Sequence, residues 1–539
     1  MKALRLLVAD RRRRQSGSVL SAVLIITAFL AIIAGALGTE ISTNFLLSNA
    51  LVNRVKTEAT VNSALELAIN QLQNTSLNQP CPSLGSYTVN QQTAAVSYQS
   101  CALVPDRRSP QFARFPASFQ FTVDGTLAQM PVVNNYVVGN AGGTIYDFVS
   151  GSATPRWTLR LGGSVTGAPL VMPDPGNGGQ FLDLVPASGS SCAPSTFCVN
   201  VVSDSGSSAS VQCQMPTASA VISRPVAGIR FPDIAFFGDS SGNVYALDVN
   251  AASDGDCTNF GTVSTTNPVV AGLVDIACSG CGRRTDEVFV LTTSSGGSSS
   301  LVRLTYTGNG LSNPQGSLPF SWGNAQGIAF DAASMRLAIS FGGGQVALVQ
   351  LTSSGGMTQI ASTGLPTNIS RAPYWCRCPG LGNAIGIGGH NGTLYVLDAN
   401  LNIYASYAGG KAIDTTPVAD GAGNWYFGAN DGRMYEVQKP GGGSAMIVAA
   451  SFGTAGAAFG SSPVIGSCPA GLCIYVGSLD ASAYLVPLDA RNAVLTACIS
   501  NAPPTCAAGA NPRLWTRVEV GDAASSQTVH VQGWSYYSP

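Results

Sequence analysis

The sequence predicts a mainly β chain: an eight-bladed β-propeller, with seven blades the alternative, preceded by a long N-terminal transmembrane helix. Three observations carry this. A motif of apolar strand, glycine turn and apolar strand recurs eight times between residues 136 and 486. One run, Ser18–Leu37, is predominantly apolar, with neither charge nor proline. Charged residues are only 10% of the 539 and glycines number 62, while 45% is hydrophobic. That composition suits strands joined by tight turns and excludes a disordered chain.

The N-terminus comes first in the chain. Ser18–Leu37 as a helix would rise about 30 Å, the depth of one bilayer core. Arg11, Arg12, Arg13 and Arg14 precede it and few charges follow, so the N-terminus is oriented inward and the bulk of the chain outward. Neither Gly nor Pro occurs from Thr39 to Gln79, so the helix continues into solvent. Leu47, Leu51 and Val55, then Val61, Leu65, Ala68 and Leu72, form an apolar stripe at three- and four-residue steps that can dock on a globular domain. The run is too long for a cleaved signal's apolar core.

A short basic leader ending in Gly17, an apolar segment and an unbroken amphipathic helix together resemble the N-terminal region of type IV pilin-like proteins, over residues 11–79. The resemblance implies processing between Gly17 and Ser18 by a prepilin peptidase. It also implies packing against other pilin-like subunits. Major pilins carry a glutamate at the fifth mature position, where this chain has Ala22. That departure favours a minor or tip subunit.

Residues 80–125 are expected to be a stapled hairpin and linker. Tyr87, Val89, Ala94, Val96 and Tyr98 alternate around Asn90-Gln91-Gln92, and Cys81 and Cys101 bracket them. Propeller is expected from 126 to 539. The copies of the motif are 136–148, 199–211, 235–248, 288–302, 337–349, 385–398, 425–437 and 474–486. Their turn positions are Gly143, Gly206, Gly242, Gly297, Gly344, Gly392, Gly432 and Ala481; a glycine there supplies the positive φ of a tight hairpin. A Pro-initiated strand precedes most copies, at 130–133, 168–171, 267–270, 372–375, 416–418 and 462–465. A Trp-bearing strand follows two, at 155–163 and 513–521. The repeat has the length of a four-stranded blade. Gly238–Asp248 and Gly389–Asp398 resemble the turn of quinoprotein-like propellers, and Trp157 and Trp515 their docking tryptophan.

All 14 cysteines follow the first 80 residues, which favours disulfides in an oxidising compartment. Cys192/Cys198, Cys278/Cys281, Cys376/Cys378 and Cys468/Cys473 read as short staples in alternate blades, opening on one face. Cys498 and Cys506 read as the staple of an insertion in the last blade, leaving Cys213 with Cys257 between neighbours. Two alternatives use the same residues. Cys278 and Cys281 with Cys376 and Cys378 could bind a metal, or Cys278 and Cys281 could be redox-active beside Arg283 and Arg284.

Catalytic residues are not expected. His390 and His530 are the two histidines, and no paired-His zinc motif, nucleophile elbow or Walker loop occurs. The quinone-dependent enzymes bind their cofactor beside adjacent cysteines, and no Cys-Cys pair occurs here. No cofactor is expected; calcium is possible, with Asp398, Asn400 and Asn402 at alternate spacing as its candidate ligands. A net charge of −1 gives no basic face for nucleic acid.

The expected function is therefore non-enzymatic: a minor or tip subunit of a type IV pilus-like filament. It would be anchored in the inner membrane before assembly and would carry its propeller at the cell surface for adhesion to an unknown ligand or for pilus assembly. The alternatives are a membrane-tethered scaffold for envelope protein assembly and a degenerate periplasmic quinoprotein dehydrogenase.

Overall fold

The computed structural model describes residues 23–33, 52–53, 55–75, 83–89, 91–104, 113–116, 119–123, 135–140, 142–149, 155–174, 180–253, 255–277, 285–352, 355–378, 382–420, 423–439, 444–452, 457–459, 461–468, 471–478, 482–488, 490–499, 513–523 and 526–537. These residues form eight four-stranded antiparallel sheets and one five-stranded sheet.

Seven of the four-stranded sheets use consecutive strands. Sheet one is Phe119–Val123, Asn135–Asn140, Thr144–Val149 and Trp157–Arg160; sheet two is Leu170–Pro173, Phe181–Ser188, Phe197–Asp204 and Ala209–Thr217. Sheets three to seven follow in chain order and begin at Val226, Val269, Ala325, Tyr374 and Val418. Sheet eight is composite. Val464–Cys468, Gly471–Ser478 and Ser482–Leu488 supply three strands, and Ala113–Pro116, from far earlier in the chain, supplies the outermost. First strands of successive sheets neighbour one another, and the first strand of sheet eight neighbours that of sheet one. The sheets therefore close into a ring, a β-propeller in which no blade edge is left at the seam.

Glycine makes the hairpins possible. Gly143, Gly206, Gly242, Gly297, Gly344, Gly392 and Gly432 all have φ between 76° and 94°, the left-handed region that disfavours a Cβ. Ala481 lies outside the described residues. Six of the copies with described turns join the second and third strands of a sheet, and the 474–486 copy has its two strands in the same places. The copy at 199–211 is the exception. It joins the third and fourth strands of sheet two, because a longer loop holding Cys192 occupies the earlier position. The Pro-initiated segments of sheets two, four, six, seven and eight lead into first strands. Sheet one differs: its first strand is Phe119–Val123, and 130–133 lies outside the described residues.

Between the sheets the core is apolar. Phe236, Val244, Val288, Val290 and Tyr306 join sheets three and four, and Val418, Tyr426, Ile465, Ile474 and Val486 join seven and eight. Trp157 on sheet one donates its indole N–H to Asp204 of sheet two at 2.8 Å.

The expected boundary of the propeller at 539 needs correction. The ring ends at Leu488, and Ala490–Ile499, Arg513–Ala523 and Ser526–Tyr537 pair in a five-stranded sheet with Ser86–Val89 and Gln92–Val104. The Trp515 strand belongs to that sheet and to no blade. The N-terminal hairpin does form, with Val89 opposite Gln92 and Gln91 at φ 64°. Residues 55–73 are helical and lay Val61, Leu65, Ala68 and Leu72 on Ala94, Val96, Leu495 and Ala497, each at most 1% exposed. Small residues at 64 and 68 let the helix approach the sheet closely. The two ends of the described chain thus build one helix-backed module, and the propeller is inserted between its second and third strands.

Within the expected membrane segment, residues 23–33 are helical, with Leu24, Ile25, Phe29 and Ile32 each about 65% exposed. Among the described residues no helix is long and apolar enough to cross a membrane. Val55, expected on the docking stripe, is 64% exposed, and Leu47 and Leu51 are outside the described residues, as is the processing pair Gly17 and Ser18.

Candidate functional site

Antiparallel sheets give a propeller two distinct ends. Turns between second and third strands share one end with the connections from sheet to sheet; the remaining loops share the other. The module enters and leaves sheet eight at Leu488 and Ala113, so it sits at this second end. The hydrogen bond from the Cys101 backbone N–H to Gln438 Oε1, 3.0 Å, agrees, because Gln438 ends the third strand of sheet seven. The first end is therefore distal to the helix.

A groove of about 410 Å³ opens at that distal end, lined by Gly343, Leu365, Thr367, Asn368, His390 and Asn391. Its walls come from the 342–344 and 389–392 turns and from the connection between sheets five and six. Gly389 is required where these walls meet: a Cβ there would lie 2.6 Å from Asn391 Oδ1 and 2.9 Å from Thr367 Cγ2. Asn391 is fixed by its turn. Its backbone N–H donates to Thr367 Oγ1 at 3.0 Å, and its Nδ2 donates to Tyr395 Oη at 3.0 Å and to the Pro366 carbonyl at 3.4 Å.

Behind the groove, Asp414 gathers three side chains from three separate segments. His390 Nδ1 lies 3.0 Å from Asp414 Oδ1, Ser370 Oγ donates to the same oxygen at 2.8 Å, and Asn430 Nδ2 donates to Oδ2 at 2.7 Å. Partial burial pushes the Asp414 carboxyl up, but the hydrogen bonds from His390, Ser370 and Asn430 outweigh it and hold its pKa below the ordinary value. An ionised carboxylate accepts, so Nδ1 carries a proton and Nε2 faces outward. The serine meets the aspartate and not the imidazole, so this is not a nucleophile–base–acid chain. His390 was legible in the sequence only as a turn residue. Asp414, 24 residues on, becomes its partner because the sheet-six-to-seven connection returns to the same end.

The other expected site residues are scattered. Asp398 accepts from Asn400 N at 2.8 Å and from Asn402 N and Nδ2 at 2.9 and 3.0 Å. Slight burial pushes its carboxyl up, and these bonds pull it below its ordinary value. The carboxylate serves its own turn, and Asn402 turns a donor toward it. Among the described residues no group of three or more His, Cys, Asp or Glu side chains is placed to hold a metal ion.

Cys192 and Cys198 are joined, as are Cys213 and Cys257, the latter linking sheets two and three. Cys101, Cys376, Cys473 and Cys498 are disulfide-bonded as well. The expectation that the staples share one face is overturned. Cys192–Cys198 closes a second-to-third-strand loop at the distal end, whereas Cys376 and Cys378 lie on the first strand of sheet six, just before its first-to-second-strand loop, and Cys468 and Cys473 flank the corresponding loop of sheet eight, both at the module end. Cys498 is in the five-stranded sheet, opposite Ala95, and not in a blade insertion. Cys81, Cys278, Cys281 and Cys506 lie outside the described residues.

Fold and groove together define a β-propeller protein carried on a helix-backed sheet. No protein-family model matches the chain, and no curated protein matches it. Solved structures do. Saccharomyces cerevisiae Sqt1 aligns at a TM-score of 0.54 and 11% identity, covering 70% of this chain and 97% of that one. The C-terminal WD40 domain of Sif2 aligns at 0.51 and 10%, covering 69% and 96%. BamB from Moraxella catarrhalis aligns at 0.44 and 12%, covering 72% and 97%. The likeness to Sqt1 and to the Sif2 domain is one of fold alone: a β-propeller.

Proposed function

We propose that this chain displays an eight-bladed propeller on a helix-borne assembly module, as a minor or tip subunit of a type IV pilus-like filament. The observation that carries the reading is the insertion. Both chain links between propeller and module emerge at one end of the ring, so the other end is left free for binding. Eight four-stranded sheets in a closed ring support the blade count. The amphipathic helix, docked by Leu65 and Leu72, supports a head fixed to an assembly helix, and the exposed apolar side chains of residues 23–33 suit burial in lipid before assembly and against neighbouring subunits after it. A bulky ring crowds its neighbours along a filament, which favours a sparse or terminal position. The disulfides suit a site outside the cytoplasm. The work is binding, without catalysis or a required cofactor.

N-terminal sequencing of the protein recovered from sheared surface filaments tests this. The reading expects a chain beginning at Ser18 in that fraction. A chain retaining Met1, or one confined to the membrane pellet, would overturn it.

A further inference from the structure

We infer that the distal groove is a binding site for a neutral, polyhydroxylated ligand of the saccharide class. This rests on the reading of that end as the displayed one, and names what it would hold.

Among the described residues the lining is one imidazole, two carboxamides, one hydroxyl, one leucine and one glycine, with no Lys, Arg, Asp or Glu. Among the described lining residues a phosphate or carboxylate ligand would find no Lys or Arg, and an ammonium no uncommitted anion, since Asp414 already accepts from three side chains behind the wall. A sugar hydroxyl both donates and accepts, so it needs walls that mix the two roles.

The free valences supply that mixture. His390 has spent Nδ1 on Asp414, and its Nε2 is open to a ligand, on a side chain 61% exposed. Thr367 Oγ1 receives the Asn391 N–H and donates to the Asn368 carbonyl, leaving one acceptor position. The Asn368 backbone carbonyl is engaged by Thr367 and by the His390 N–H, while its exposed carboxamide makes no hydrogen bond to the described residues. It offers two donors and one acceptor. Leu365, 5% exposed, closes the floor of the groove.

His390 and Thr367 are held before any ligand arrives. Asn391, Ser370, Asn430 and Asp414 act as positioning residues, each fixed by hydrogen bonds at 2.7–3.0 Å. Preorganisation of this kind removes part of the ordering cost of binding. The volume falls in the range of small-molecule sites, about 300–1,000 Å³. An extended peptide is the other ligand with mixed donors and acceptors, but it binds through a free strand edge or side-chain pockets. The groove is built from turns and offers neither.

The two histidines of the chain make the test selective. The full-length protein, in detergent and with its histidines carbon-13 labelled, is titrated with glucose, galactose, mannose, N-acetylglucosamine and their disaccharides. Expected is a saturable shift of the His390 resonance by at least one of them, with His530 unmoved. Asn368→Ala, which removes no hydrogen bond within the described residues, weakens that binding about tenfold. The inference is overturned if none of these sugars moves His390, if Asn368→Ala binds as tightly as the parent, or if only peptides or charged sugars move it. A protein found at Ser18 in filaments that fails this titration keeps its proposed function and loses this ligand. One that binds sugar but retains Met1 does the reverse.

Discussion

Truncating Leu65 to alanine strikes the contact that ties the two ends of the chain together. Leu65 is fully buried among Val61, Ala68 and Leu72 on the helix and Ala94, Val96, Leu495 and Ala497 on the sheet. Three neighbours are already alanines, so little side chain is available to collapse into the space. Leucine-to-alanine changes in such cores cost about 2–5 kcal/mol, and this rigid backing points to roughly the middle of that range. A loss of about 3 kcal/mol shifts the opening equilibrium of the module by more than about a hundredfold. Leu67, on the same helix, is 47% exposed, so Leu67→Ala should stay within about 0.5 kcal/mol of the parent. Hydrogen exchange of the amides of 92–104 and 490–499 reads the difference. Leu65→Ala should speed exchange in both strands at once while leaving sheets three to six protected. Equal effects from Leu65→Ala and Leu67→Ala, or faster exchange in only one of the two strands, would refute the shared sheet.

Three further outcomes follow from local geometry. Removing Cys213–Cys257, which spans 44 residues, should cost about 4 kcal/mol by chain entropy, against about 2 for Cys192–Cys198, which spans 6; thermal unfolding of the two double-serine variants gives the order, and a reversed order contradicts it. Burial drives the Glu436 carboxyl well above 4.5, the negative Asp420 adds to this, and the Tyr426 hydroxyl opposes both. Its folded pKa exceeds its unfolded one, so its contribution is full below 4.5 and is lost as pH rises toward the folded value. Glu436→Gln should therefore be more stable than the parent at pH above neutral and flatten that slope in denaturant titrations, and an unchanged slope would rule out the protonated state. Gly389→Ala should cost about 1–3 kcal/mol by overpacking against Asn391 and Thr367. An NMR titration should also show it losing any groove ligand, and wild-type melting would show that the walls have room.

Much of the ring was legible because its signals are local. Gly242, Gly344 and Gly392 each sit at a turn whose backbone only glycine adopts easily, and flanking apolar alternation marks the strands. Partnership between distant strands is not local, and there the reading failed. RLWTRVEVG resembles the outermost strand PRWTLRLGG of sheet one, yet it pairs with Ala490–Ile499. Alternation says that a strand has two faces, not which sheet it joins. Ala113–Pro116 fell in a stretch expected to be linker and instead completes sheet eight across more than 360 residues of chain. The groove was hidden for the same reason: His390, Ser370, Asp414 and Asn430 are separated in sequence and meet only because every second loop of a propeller returns to one end. Leu65 and Leu72 were readable as a stripe, but their apolar partners at 495 and 497 were not.

Display of the distal groove depends on which end of the ring bears the helix. Spin labels introduced as non-natural amino acids at Glu66, Lys439 and Asn391 of the full chain measure it by pulsed dipolar spectroscopy. Lys439 follows Gln438, which bonds Cys101 at the module end, and Asn391 lines the distal groove. The Glu66–Lys439 distance should be clearly the shorter of the two from Glu66. A shorter Glu66–Asn391 distance would put the groove against the module and contradict display.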